Sequence, residues 1–171
     1  MTPLAHSAIG FLGWKRAAPD GKPALAFLFV ALANLHDLDF LVLAALGAGG
    51  RNLHQQFTHN LLFSLLAPLV LFPLIKPARI RWGLVLVSLS HLPLDLIIRD
   101  PVAPVGFPLF YPLWKKNFNL GFFPNIWRGG WGEVVSFHNL CTVLLEVVVV
   151  VLPVIWLCRR DTLRMREPER L

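Results

Sequence analysis

Five stretches of the chain are apolar, at 3–14, 24–48, 61–75, 82–98 and 140–157, and the polar residues inside them follow no helical period. A helix lying on a soluble core would show a polar face every 3.6 residues. These stretches show none, so lipid is the predicted surrounding. A membrane span takes roughly 20 mainly apolar residues. Two of the four longer stretches meet that length and two are borderline, among them 61–75, which is short and holds Pro68 and Pro73. The first stretch has no basic residues ahead of it, unlike a secretory signal. The predicted fold is therefore all-α, one integral-membrane domain over 1–171: a multi-pass transmembrane helical bundle. The connection 99–138 holds ten of the twenty aromatic residues, with Gly and Pro clusters that rule out one continuous helix. Aromatic rings favour the membrane–water boundary, so it is expected to be an interfacial loop, serving as lid or lipid-facing platform. A basic tail, 159–171, closes the chain.

Composition agrees. The 171 residues are 56% hydrophobic and 15% charged, against about 25% charged in soluble domains. Intrinsic disorder is excluded and an ordinary water-soluble enzyme is disfavoured. Cys141 and Cys158 lie in one apolar stretch, about 25 Å apart along a helix, and cannot bridge each other. The net charge of +6 would suggest nucleic acid if it formed a patch. It is instead spread over loops. With four spans, eleven Lys and Arg fall on one side (15, 16, 22, 76, 79, 81, 159, 160, 164, 166, 170) and five on the other (51, 99, 115, 116, 128). The positive-inside rule puts the first set, and the C-terminus, in the cytoplasm. Membrane lipid is the expected partner. No direct nucleic-acid binding is expected, although aromatics interleaved with Lys115 and Lys116 are the type that stack single-stranded bases. Oligomeric state is left open.

Ionisable residues inside the apolar stretches carry the chemistry. An Asp near the centre of an inserted helix costs roughly 2.5–3.5 kcal/mol, and such residues face a bundle interior with partners. Eight of them form a recurring set, five of the six histidines and three of the ten acids: His6, His36, Asp37, Asp39, His54, His59, His91 and Asp95. His91 and Asp95, four apart, share a helical face. They suit either one divalent cation or a His–Asp pair bracing Pro93. Asp37 and Asp39 diverge by about 200° on an ideal helix, so the helix breaks there or only one is a ligand. Asn34 is a candidate cap for a new turn. His54 and His59 reach one site only if His54 precedes the helix, for which Thr58 is a candidate cap. In the inferred topology His6, Asp37/Asp39, His54/His59 and His91/Asp95 all come to the outer level. Imidazoles with carboxylates suit Zn²⁺, with Mn²⁺ or Fe²⁺ as alternatives. The cysteines are remote, which favours an open, catalytic type of site over a closed structural one.

In order along the chain, Thr2-Pro-Leu-Ala-His6, Asn34-Leu-His-Asp37-Leu-Asp39, His54-Gln-Gln-Phe-Thr58-His59, His91-Leu-Pro-Leu-Asp95 and Gly106-Phe-Pro-Leu-Phe-Tyr-Pro112 resemble the YdjM-like family of LexA-binding inner-membrane proteins. That family is taken to be metal-dependent hydrolases, distantly similar to zinc-dependent phospholipase C and single-strand nucleases. The resemblance implies His6, Asp39, His59, His91 and Asp95 as metal ligands, with Asp37 and His54 behind them. The chain departs from the family pattern at His36, where the family has Pro, at Gln55, where Arg is common, and at Asn60 in place of Ser. The resemblance implies a membrane-bound hydrolase of a phosphoester, lipid-derived among the candidates, with water activated by metal at His91 and Asp95. Arg99, Lys115 and Lys116 are candidate phosphate contacts. The alternatives are a metal-ion or proton transporter, which spreads ligands through the membrane depth, and a non-catalytic partner protein whose His/Asp pairs, and Glu146, only tie helices together.

Overall fold

The computed structural model describes residues 1–45, 55–99, 104–126 and 131–166. Prolines open the first two helices, α1 (Pro3–Ala17) and α2 (Pro23–Ala33). In the first helical turn the missing N–H costs no hydrogen bond. At Asn34 the side-chain amide donates to the Val30 carbonyl at 2.8 Å, closing the end of α2 instead of capping a new turn. A 3₁₀ turn at Leu35–Asp37 follows, then α3 (Leu38–Ala45). The stretch 24–48 is thus not one continuous helix: the break left open at Asp37 and Asp39 is present, at 34–37, and 46–48 lie outside the described residues.

Next, α4 (Leu61–Leu69) is capped by Asn60, whose Oδ1 accepts the Phe63 N–H at 2.8 Å. The hydroxyl of Thr58, the expected cap, turns instead to Asp39. A 3₁₀ turn at Phe72–Leu74 leads to α5 (Ala78–Leu96), about 28 Å long by helical rise. The C-terminal part holds a four-residue helix α6 (Trp131–Val134), α7 (Phe137–Glu146), a π turn at Val147–Val151 and α8 (Leu152–Arg166). The unbroken run Phe137–Asp161, 25 residues, is the one helix among the described residues long and apolar enough to cross a membrane. Two shorter apolar helical runs, Pro23–Ala33 and Leu61–Leu74, accompany it. Helix continues to Arg166, because Arg, Leu and Met are good helix formers, so the expected tail begins as the last turns of α8.

Helix α1 packs on α2, α5 and the C-terminal helix, and α4 packs on α5. Their shared apolar core is Trp14, Phe29, Leu32, Leu84 and Val87. Gly10 permits the α1–α2 approach: a Cβ there would lie 2.9 Å from both the Phe29 carbonyl oxygen and the Val30 Cα. The expected loop 99–138 contains α6 and the start of α7, while its described portion 104–126 is non-helical and carries only isolated β-bridges. Gly106 at φ +75° puts its hydrogen against the Phe118 carbonyl, where a Cβ would sit 2.2 Å away. The segment is stitched to the ends of α5 and α4 through Leu120 N–H to Leu96 O (2.8 Å) and Leu61 N–H to Leu109 O (3.0 Å). In that position Phe107 is buried, its ring 5.7 Å from that of His59.

Outward-facing residues are apolar: Phe27 is 74% exposed, Val70 76% and Leu74 81%. Inside, by contrast, His6, His36, His59, His91, Asp95 and Glu146 are all buried. Oil outside and polar groups within is the arrangement expected of a chain solvated by lipid.

Candidate metal centre

Termination of α2 creates the first element of the site. With the helix closed at Asn34, the Ala33 carbonyl is one of the C-terminal carbonyls left without an intrahelical partner. The His91 Nδ1–H donates to it at 2.8 Å. That bond fixes the tautomer, so the His91 Nε2 lone pair faces inward. One helical turn on, Asp95 Oδ2 lies 3.2 Å from His91 Nε2. His59, entering from the turn before α4, places its Nε2 3.2 Å from His91 Nε2 and 3.3 Å from Asp95 Oδ2. The break at 34–37 aims Asp37 at the same point, its Oδ1 3.6 Å from His59 Nε2 and 3.7 Å from His91 Nε2.

Asp37, His59, His91 and Asp95 thus form a four-donor group whose ligand atoms all lie within 4.8 Å of one another. Tetrahedral metal–ligand bonds of about 2.0–2.1 Å set donors roughly 3.3–3.4 Å apart. The five separations given above, 3.2 to 3.7 Å, match that edge. Two neutral-nitrogen and two carboxylate donors suit a borderline divalent ion. Three of the four side chains are almost wholly buried, while that of Asp37 is 25% exposed. The group is closed on the helix side and open at Asp37.

Around these donors is a supporting shell. Asp39 is not in the four-donor group; it stands behind His59. The His59 Nδ1–H faces the Thr58 hydroxyl at 3.0 Å, and that hydroxyl donates to Asp39 Oδ2 at 2.7 Å. Asp39 is held in turn by the Gln55 N–H at 3.1 Å, which Gln55 presents from a left-handed backbone, φ 71°. A carboxylate behind a ligating imidazole raises its basicity and fixes its ring.

His6 meets the other oxygen of Asp95, with Nε2 3.2 Å from Oδ1, and the Met1 ammonium contacts the same oxygen. Asp95 therefore directs one oxygen into the four-donor group and the other towards α1. The His6 ring also stacks on His91 (centroids 3.9 Å, 16°), and His36 stacks on His91 too (4.4 Å, 14°). Near-parallel rings this close can only occupy opposite faces, so His91 is clamped between two imidazoles. The chain matches the model of the YdjM inner membrane protein family over residues 1–162. It belongs to that family. No curated protein and no solved structure matches the chain.

This member of the YdjM family is thus an inner-membrane protein with a buried His/Asp group that could hold a metal ion. Of the residues expected to ligate, the structure brings Asp37, His59, His91 and Asp95 together, sets His6 beside Asp95 and puts Asp39 behind His59. His54 lies outside the described residues. Sequence reasoning missed the place of His36. Its Nε2–H donates to Ser64 Oγ (2.8 Å), which donates to the Asn60 carbonyl (2.9 Å). That chain of bonds ties the clamp to the cap of α4. Glu146 ties helices together as expected: its carboxylate accepts the Thr2 N–H at 3.0 Å and the Thr2 hydroxyl, pinning the start of α1 and so His6.

Proposed function

We propose that the chain is a metal-dependent hydrolase that crosses the inner membrane more than once and cleaves a phosphoester, lipid-derived or soluble. The observation that carries this reading is the Asp37–His59–His91–Asp95 group, its ligand atoms all within 4.8 Å of one another, free of cysteine and with Asp37 as its partly exposed member. Structural zinc sites are closed, usually with cysteine, whereas catalytic ones keep a position for substrate. Zinc is the ion we favour, with manganese or iron as alternatives. When bound, such an ion acidifies a coordinated water and offsets charge developing on the phosphoryl group.

The chain's own residues do the rest. Asp95 and His91 hold the donor geometry from one rigid helix face, and the Ala33 carbonyl keeps His91 in its ligating tautomer. Phe107 covers His59 and limits water on that side. The apolar outer surface of the short helices supports a multi-pass arrangement, with the basic C-terminal end in the cytoplasm. The donors crowd within 4.8 Å, whereas a transport path would string them through the membrane depth.

The test is elemental analysis and phosphodiester hydrolysis on detergent-purified protein, using an aryl phosphodiester and phospholipid as substrates. Wild type is expected to hold metal and turn over at least one substrate, with His91→Ala and Asp95→Asn losing both. Metal-free wild type in every preparation would sink the metal reading. Metal-loaded protein inert towards all phosphoesters would sink the hydrolase reading alone.

A further inference from the structure

Between α1 and α5 runs a groove of about 500 Å³, its basic end directed away from the metal centre. Leu12, Leu86 and Val87 wall it with apolar surface, Trp82 stands on its rim, and Arg16 and Arg79 close one end. Arg16 lies ten residues from His6, and Arg79 twelve from His91. By helical rise those intervals are about 15 and 18 Å, so the cationic end of the groove lies well away from the donor group, while Val87 on its apolar wall is four residues from His91. Its two cations are not equally engaged. The Arg16 guanidinium donates to Asp161 Oδ2 at 3.1 Å. Arg79 is exposed and makes no ion pair among the described residues. Lys15 sits over Trp14 and Arg81 over Phe72, which keeps further positive charge at this end. Trp82 is 60% exposed and Leu86 66%, and a tryptophan so placed suits the headgroup boundary.

We propose that this groove binds an anionic glycerophospholipid of the surrounding membrane, its phosphate on Arg79 with Arg16 beside it and one acyl chain along Leu12, Leu86 and Val87. A free phosphate would leave the apolar wall bare, and a neutral lipid would leave Arg79 without a counter-charge. Basic pockets between membrane helices recognise anionic headgroups in this way. The proposal does not depend on any reaction at the metal centre.

The experiment reconstitutes the full chain in nanodiscs containing brominated phosphatidylglycerol or brominated phosphatidylcholine and follows tryptophan quenching. The Trp82 contribution is isolated by subtracting the W82F signal. Half-quenching is expected at about fivefold less phosphatidylglycerol than phosphatidylcholine, the size expected for one arginine at an anionic headgroup. Arg79→Gln should erase that preference and Arg79→Lys keep it, both at an unchanged melting temperature, while millimolar inorganic phosphate should displace nothing. Equal quenching of wild type by the two lipids would overturn the proposal without any variant. So would a preference that survives in Arg79→Gln, or displacement by free phosphate.

Discussion

The bond from His91 to the Ala33 carbonyl makes a backbone event, the end of α2, part of the donor chemistry. The same logic separates the two neighbouring acids. Asp37 shares the point where His59 and His91 converge, whereas Asp39 acts through Thr58 on the far nitrogen of His59. Asp39→Asn is therefore expected to weaken zinc binding about 10- to 100-fold, the usual loss for a partner behind a ligating histidine. Asp95→Asn should abolish it. Titration of zinc into metal-free protein separates the two, and equal losses would contradict the assignment. A second prediction concerns His59, in the turn ahead of α4. Burial opposes charge on this ring, but hydrogen bonds to Asp37 and Asp95 outweigh it and raise its pKa to about 9 in the metal-free chain. A proton then occupies the nitrogen that a metal needs, so binding must expel it. Below pH 9 affinity should fall about tenfold per unit as pH drops, and it should level off above. Calorimetric titrations from pH 6.5 to 9.5 would show that slope; a flat profile would remove His59 from the donor set. Of these residues, the His91/Asp95 pair was legible from spacing, because a helix fixes what lies four residues on. The division between Asp37 and Asp39 was not. It depends on where α2 stops, and hydropathy is blind to an asparagine amide folding back on Val30.

At the scale of elements, the site depends on how closely helices approach. Any side chain at Gly10 would strike the Phe29 carbonyl and the Val30 Cα, backbone atoms that no rotamer change can move. Gly10→Val should force α1 from α2, destabilising the protein by about 1–3 kcal/mol and loosening His6 from Asp95. Thermal unfolding alongside zinc titration would report both effects. Gly132→Ala is the control, because nothing lies within 4 Å of its Cβ position. Helix starts were legible where chemistry is local, as at Pro3 and Pro23. Interruptions were less so. The sequence left open whether the helix breaks near Asp37 and offered Thr58 as the cap of α4, yet Asn60 caps it and Thr58 serves Asp39. His36 was hidden for a related reason: its role as a stacking clamp on His91 arises from tertiary packing, which leaves no periodic trace.

Across the described residues, large apolar side chains face outward while a His/Asp cluster is buried beside the apolar core, in keeping with the low charged fraction of the sequence. That fraction did not foretell that, among the described residues, only Phe137–Asp161 would be both long and apolar enough to cross a membrane as a single helix; the stretch 24–48 is divided by the turn that brings Asp37 to the donors. The excess of basic residues around α8 predicts a cytoplasmic C-terminus. A C-terminal green fluorescent protein fusion should fluoresce and an alkaline phosphatase fusion should be inactive, and the reverse pair would invert the topology. The Thr2–Glu146 contact joins positions 144 residues apart, so it also sets a schedule. Thr2 and His6 are made well before the carboxylate that seats them, which arrives with α7. Until then the start of α1, and with it His6, lacks the contact that pins it. The centre gains this last tie only once α7 is in place, and a chain stalled before that helix bears the exposed polarity by which membrane quality control can recognise unfinished work.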